Sequence, residues 1–214
     1  MDDKYWENFY KANGKDSKIS NCSTFATFCM DKYFKNKEMH IVELGCGNGR
    51  DSVYFAQNHL DTTAIDQSIT AINITKKLFK KSMLHFLNTS KADFVEIDYG
   101  KYGKIDVFYS RFTLHAITKN DESILLPKIY KALQPKGLFC VEVRTIKDPL
   151  FGVGVSCGDN TYLTDHKRRF IDSNEFLKQV LTLGFKLLYF VEEDNLSIHK
   201  NDNPVLMRII LEKE

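Results

Sequence analysis

The chain predicts an α/β fold, a doubly wound and mainly parallel sheet, on three observations. Apolar strand-like runs alternate with helix-like stretches five times between residues 41 and 143, and such alternation implies βαβ units with right-handed crossovers. The first apolar run leads straight into glycines at three alternate positions, Gly45, Gly47 and Gly49. A length of 214 residues suits a single domain with helices on both faces of a sheet.

Taken in order, residues 41–44 form strand one. The glycines after it let the backbone turn sharply and let a ligand reach the main chain. Asp51 or Ser52 is expected to cap the next helix, whose first amides face the same ligand. Strand two, 62–65, ends on Asp66. An acidic residue about twenty positions beyond a glycine loop, closing the second strand, is placed to hold ribose hydroxyls. Residues 69–81 read as a helix with Ile72, Leu78 and Phe79 toward the core. Its Lys76, Lys77, Lys80 and Lys81 share a solvated face. Residues 82–92 have no clear period. Residues 94–97 read as strand three ending on Asp98, with Asp93 offering a competing register.

Residues 105–109 form strand four, followed by Ser110 and Arg111. A helix over 121–133 is closed by Gln134-Pro135-Lys136-Gly137, a stop signal. Strand five, 138–143, is nearly continuous in apolar residues, as a central parallel strand should be. After it come a helix at 174–183 and two strands, 186–191 and 205–211, joined by a polar loop short enough for a hairpin. Residues 145–170 stand outside this alternation, and a loop of that length in a compact domain is usually functional or disordered.

The glycine spacing separates two cofactor classes. Dinucleotide sites favour G-x-G-x-x-G around a pyrophosphate. Here the pattern is G-x-G-x-G with Glu43 two residues ahead, a carboxylate that repels a pyrophosphate and favours an amino group or a sulfonium. At Glu43-Leu44-Gly45-Cys46-Gly47-Asn48-Gly49 the chain resembles the class I S-adenosylmethionine (SAM) methyltransferases, whose first motif is E/D-x-G-x-G-x-G. The resemblance covers residues 41–214. It implies a seven-stranded Rossmann-like sheet with an antiparallel last strand inserted beside the fifth. It also implies SAM as cofactor and S-adenosylhomocysteine (SAH) as product. Gly45 and Gly47, with Cys46, Asn48 and Gly49 in the same loop, are then expected at the methionine, and Glu43 at its ammonium. Asp66 is expected at the ribose, with Gln67 beside it as a further cofactor-binding residue, Asp98 at the adenine amino group with Tyr99 flanking it, and Ser110 at the end of strand four.

Methyl transfer is a displacement in which positioning matters most. A base is needed only when the acceptor loses a proton, and His115, after strand four, is the candidate, with an ordinary titration near about 6.5. Arg111, at the end of a central strand, is expected to bind a carboxylate, either Glu43 or that of the ligand. Acceptor specificity is assigned to two segments. One is a helical cap at 1–38 with Tyr5, Trp6 and Tyr10, whose spacing also fits a helix docked on the domain. The other is a lid at 145–170 with Tyr162, His166, Arg168 and Arg169, reached from Arg144 on strand five. Its cations suit a phosphate or carboxylate, or else form a solvated basic turn.

The net charge of +2 argues against a dedicated nucleic-acid binder. No run approaches the ~18 apolar residues of a membrane span, and the first residues show no secretory pattern. Five scattered cysteines fit reduced cytoplasmic thiols, and six histidines show no metal-ligand spacing. The Tyr-Trp start and the Ser-Arg-Phe-x-Leu-His stretch resemble small stand-alone enzymes of the tellurite-resistance type and bacterial methyltransferases that tailor surface (capsule) polysaccharides. The expectation is therefore a cytoplasmic O-methyltransferase, monomer or homodimer, acting on a small anionic molecule. The alternatives are an RNA or protein methyltransferase, disfavoured by charge and by the absence of an Asn/Asp-Pro-Pro-Tyr/Phe motif, and a non-catalytic SAM- or nucleotide-binding regulator.

Overall fold

The computed structural model describes residues 3–13, 21–34, 38–82 and 86–214. Parts of the 1–38 cap, and the side chains of Phe79, Lys80 and Lys81, lie outside the described residues. Two compact units divide the chain, Asp2–Tyr109 and Ser110–Glu214.

The first unit begins with helices α1 (Asp3–Asn13) and α2 (Thr24–Lys32). It continues with β1 (His40–Leu44), α3 (Arg50–Gln57), β2 (Asp61–Asp66), α4 (Ile69–Ser82) and β3 (Leu87–Lys91). A 3-10 turn at Tyr99–Tyr102 leads into β4 (Ile105–Arg111), in which the division falls. β1 runs parallel to β2, pairing Ile41 with Thr62 and Leu44 with Ile65. β2 runs parallel to β3, pairing Thr62 with Leu87 and Asp66 with Lys91. Ile41, Val42, Leu44, Ala64 and Ile65 are fully buried, so the strands are apolar on both faces as parallel strands between helices must be.

Strand three departs from expectation. It is Leu87–Lys91, and residues 94–97 form a turn closed by Ile97 N donating to Asp93 O at 3.0 Å. The Leu-Asn-Thr-Ser-Lys strand lies at the sheet's edge, where half-solvated polar residues are tolerated. Phe94, Val95 and Ile97 are buried without a ladder, which is why their apolar run resembles a strand.

The second unit holds a 3-10 turn at Leu114–Ala116, α5 (Lys119–Ala132) and the long β5 (Leu133–Arg144). It ends with α6 (Ser173–Thr182), β9 (Phe185–Glu193) and β10 (Leu206–Lys213). A full capping box, Thr118 with Asp121, starts α5 two residues earlier than the apolar pattern suggests. Gln134 to Gly137 does not separate helix from strand: β5 begins at Leu133, with Lys136 in the left-handed region at φ 66. β10 pairs antiparallel with both β5 and β9. Seven strands thus share a mixed sheet in the order β3-β2-β1-β4-β5-β10-β9, the class I order with the last strand inserted beside the fifth. Residues 145–170 are not a bare loop. They contain a three-stranded antiparallel sheet, β6 (Val155–Ser156), β7 (Thr161–Leu163) and β8 (Lys167–Arg169), around Phe151, Tyr162 and Phe170.

One buried ionic group ties this unit together. Glu142, 0 % exposed on β5, accepts from Arg111 Nε at 2.9 Å and from Arg208 Nε of β10. Arg111 also donates to Ser197 and Arg208 to the Leu196 carbonyl, so both guanidinium groups are held by several bonds. Removing the carboxylate leaves two cations facing each other in a poorly solvated place. Glu142→Ala is therefore expected to cost about 3 kcal/mol or more, read as a lower urea midpoint at unchanged slope.

Candidate functional site

In the first unit the carboxyl ends of β1, β2 and β3 form one pole. The chain leaves β1 through Gly45, Gly47 and Gly49 at φ 69, 55 and 77, values that side-chain-bearing residues rarely adopt. Asp66, at the end of β2, reaches back to this loop. Its Oδ2 accepts from Gly47 N at 2.9 Å and its Oδ1 from Ser68 N at 2.8 Å. Burial raises its pKa, while the two amides favour the charged form. Each oxygen keeps acceptor capacity beyond these bonds. Beside it, the Gln67 amide has both polar atoms buried with no hydrogen-bond partner among the described residues. An unmet buried amide costs on the order of 1–3 kcal/mol and calls for an explanation.

Glu43 is buried and accepts from the Ser52 hydroxyl. Neither expected cap serves α3: its N-cap is Gly49, with no side-chain cap bond. Asp51 instead accepts from Ser23 N and Oγ at 2.7 Å and from Tyr109 Oη at 2.9 Å, fastening the start of α2 beside the loop. Asn48 accepts from Arg50 N at 3.4 Å. Cys46 is buried, with its sulfur 3.8 Å from Gly47 O; burial, then Asp66 and Glu43, push its thiol well above the ordinary range. These features fit an S-adenosyl ligand: a bare glycine cradle, a buried acid beside it, an oriented carboxylate at the second strand and an unsatisfied amide.

Tyr5, Trp6 and Tyr10 lie on α1, where Tyr5 and Trp6 pack edge to face at 5.0 Å and Phe9 and Tyr10 at 5.3 Å. Tyr10 stands against the glycine loop, and a Cβ on Gly47 would overlap its hydroxyl. Burial, then Asp66, hold its phenol well above the ordinary value, so it is a neutral donor.

Asp98 and Tyr99 do not stand where the sequence put them, because strand three lies earlier. Asp98 is exposed and accepts from Gly100 N at 2.9 Å as the cap of the 3-10 turn. Tyr99 is a core residue, donating to Phe94 O and packed edge to face on Phe108 at 4.8 Å. The carboxylate that follows β3 is Asp93. Ala92 N donates to Asp66 O at 3.0 Å, which sets residues 92–93 alongside the end of β2. The missed signal was the competing register at Asp93 itself.

The second unit carries the other candidates. Ser110 is buried and shares a hydrogen bond with Thr113. Arg111 does bind a carboxylate, but that of Glu142. Its guanidinium also lies over Phe112, 4.4 Å from the ring centroid. Phe112 itself has φ 55 and is pinned by its N–H on Glu142 O at 2.9 Å. His115 stacks on Phe112 with ring centres 5.8 Å apart and is buried, with Nδ1 lacking a hydrogen-bond partner among the described residues. Burial first, then Arg168, His166, Arg144 and Arg169, hold its pKa well below 6.5. The expected titration near the ordinary value is therefore displaced downward.

The predicted cations differ in their commitments. Arg144 donates to Asp148 at 2.8 Å and to Asp202. Arg169 donates to the Ile117 and Leu114 carbonyls at 3.0 and 3.1 Å and to Glu122 at 2.6 Å. It clamps β8 to the segment after β4, a structural bond. Arg168 is held less tightly, with Asp165 3.9 Å away; burial, then Arg144, lower its pKa. His166 is buried with Nδ1 3.0 Å from Asp165. Tyr162 packs edge to face on Phe151 at 5.3 Å.

A parallel-to-mixed sheet of this order, with a glycine turn and an acidic residue closing the second strand, defines the class I methyltransferase architecture. Residues 41–137 match the family described as "Methyltransferase domain". The chain resembles an S-adenosylmethionine-dependent methyltransferase from Clostridium acetobutylicum in solved structure, with TM-score 0.72 and 14% identity over 94% of this chain and 96% of that one. It resembles TehB from Haemophilus influenzae with TM-score 0.69 and 15% identity over 98% of this chain and 67% of that one. In sequence, 106 residues are 24% identical to an uncharacterised methyltransferase of Synechocystis, the match spanning 47% of this chain and 45% of that protein. Residues 41–137 thus carry a methyltransferase-domain match, and the chain shares the fold of solved S-adenosylmethionine-dependent methyltransferases.

The His115 environment has a stability consequence. Its folded pKa is depressed, so its contribution is complete above about 6.5 and is lost as pH falls below that, because the unfolded chain binds the proton first. The urea midpoint should drop between pH 7 and 5, and drop less in His115→Gln.

Proposed function

We propose that the protein works as a single methyltransferase domain that transfers a methyl group from SAM to the oxygen of a small anionic acceptor. A surface polysaccharide precursor or related metabolite is the acceptor class we favour, modified in the cytoplasm. The observation that carries the cofactor half is the Asp66 carboxylate, fixed by the Gly47 and Ser68 amides beside an unsatisfied Gln67. On this reading Gly45 to Gly49 receive the methionine, Glu43 its ammonium, Asp66 and Gln67 the ribose, and Asp93 rather than Asp98 the adenine amino group.

Bound SAM supplies an electrophilic methyl carbon on a sulfonium, and the protein's own residues orient the acceptor and manage its proton. Transfer of that methyl group would need the acceptor oxygen held in line with it and freed of its proton. His115, neutral because burial and neighbouring cations disfavour its charge, takes the acceptor's proton. The same cations, Arg168 foremost, favour an acceptor that carries negative charge. No helix among the described residues is long and apolar enough to cross a membrane.

Calorimetric titration with SAM, SAH and NAD tests the cofactor half. Micromolar binding of the first two is expected, and tighter binding of NAD would overturn the reading. Asp66→Ala should weaken SAH binding by about 2 kcal/mol, because ribose hydroxyls lose a charged partner. With an acceptor identified by SAH release, His115→Gln should lower turnover by roughly 10²-fold at unchanged SAH affinity. Arg168→Ala should chiefly raise the acceptor's KM. The acid limb of wild-type turnover should lie below pH 6.5, since His115 protonates only there.

A further inference from the structure

α1 is an eleven-residue helix. Isolated helices below about 12–15 residues are marginal in water, so docking must hold it. Glu7 supplies polar bonds of that docking. Its Oε2 accepts from Ser68 Oγ at 2.7 Å and from Thr70 N at 3.3 Å, and its Oε1 from Thr70 Oγ1 at 2.7 Å. The carboxylate therefore sits on the first turn of α4, where exposed amides and the helix dipole favour a negative charge. Its hydrogen bonds from Ser68 and then Thr70 lower its pKa to about 2, so it stays charged in any physiological medium. Ser68 serves two carboxylates at once, its hydroxyl donating to Glu7 and its backbone amide to Asp66. One helical turn beyond Glu7, Tyr10 comes to rest with its hydroxyl against Gly47.

We propose that α1 is a latch on the cofactor site: Glu7, bound at the start of α4, holds Tyr10 over the glycine loop, and S-adenosyl ligands enter and leave when that bond releases. The inference rests on the reading of the glycine loop as the SAM site. α1 then belongs to cofactor exchange, not to acceptor recognition. Tyr10 is a positioning residue that closes the loop over the bound ligand, and Ser68 links the latch to the carboxylate assigned to the ribose.

Trp6 is the one tryptophan of the chain and lies on α1, so its fluorescence reports the latch directly. In stopped-flow mixing, SAH should change Trp6 emission, and acrylamide should quench Trp6 less in the SAH complex than in the ligand-free protein. Glu7→Ala removes the anchor from the α1 side and should speed SAH dissociation, followed by chase with excess SAM, about tenfold. Thr70→Val removes the hydroxyl's bond to Glu7 Oε1 from the α4 side while the residue-70 amide keeps its bond to Oε2, and should act in the same direction with a smaller effect. In Glu7→Ala the protection of Trp6 by SAH should be lost while calorimetry still shows SAH bound, which separates release of the helix from loss of the site. Wild-type protein that binds no SAH by calorimetry would fell the site assignment and the latch with it. Wild-type SAH binding with dissociation rates unchanged in both variants would overturn the latch alone.

Discussion

Asp66 is the hinge on which the first unit's arrangement turns. A carboxylate at the end of a buried strand needs hydrogen bonds, and here two backbone amides from opposite sides meet that need, Gly47 of the loop and Ser68 before α4. The bond to Gly47 requires the loop to fold back toward β2, which requires positive φ at the glycines. The bond to Ser68 orients the residue whose hydroxyl receives α1 through Glu7. One side chain thus fixes the shape of the loop, the entry of a helix and the docking of the N-terminal segment. A ligand that binds this carboxylate acts on a group already coupled to all three.

The second unit solves a different problem, that of many cations in a small volume. Glu142 neutralises Arg111 and Arg208, Asp148 and Asp202 neutralise Arg144, and Glu122 with two carbonyls satisfies Arg169. Such pairs fix geometry more surely than they add stability. His115, buried among them, has a lowered affinity for protons, from burial first and then from Arg168, His166, Arg144 and Arg169. The region therefore holds its imidazole uncharged among cations that are themselves paired.

The glycine motif, the strand alternation and the inserted last strand were legible because they are local or follow from period and order. What failed was long-range or marginal. The sheet's edge strand, 87–91, buries too little to carry an apolar signature, and the turn at 94–97 buries enough to imitate one. Arg111 could be expected to find a carboxylate, but nothing near it in sequence names Glu142, thirty-one positions away. Arg169 and Arg168 are adjacent and chemically alike, yet one is a buried clamp and the other is not, a difference set by which face of β8 each occupies. Asp51 was assigned to the nearest helix and instead serves Ser23 and Tyr109, because a glycine already holds the capping position.

The glycine loop also carries sulfur. Cys46 occupies a variable position of the motif, in the turn proposed to receive an alkylating cofactor, and a thiolate there would be the strongest competing nucleophile in reach. Burial and two neighbouring carboxylates keep the thiol protonated, and it is the thiolate that attacks electrophiles. A cationic ligand in the proposed site would thereby meet a thiol and not a thiolate. Burial of Cys46, with Asp66 and Glu43 beside it, thus disfavours its alkylation by such a ligand.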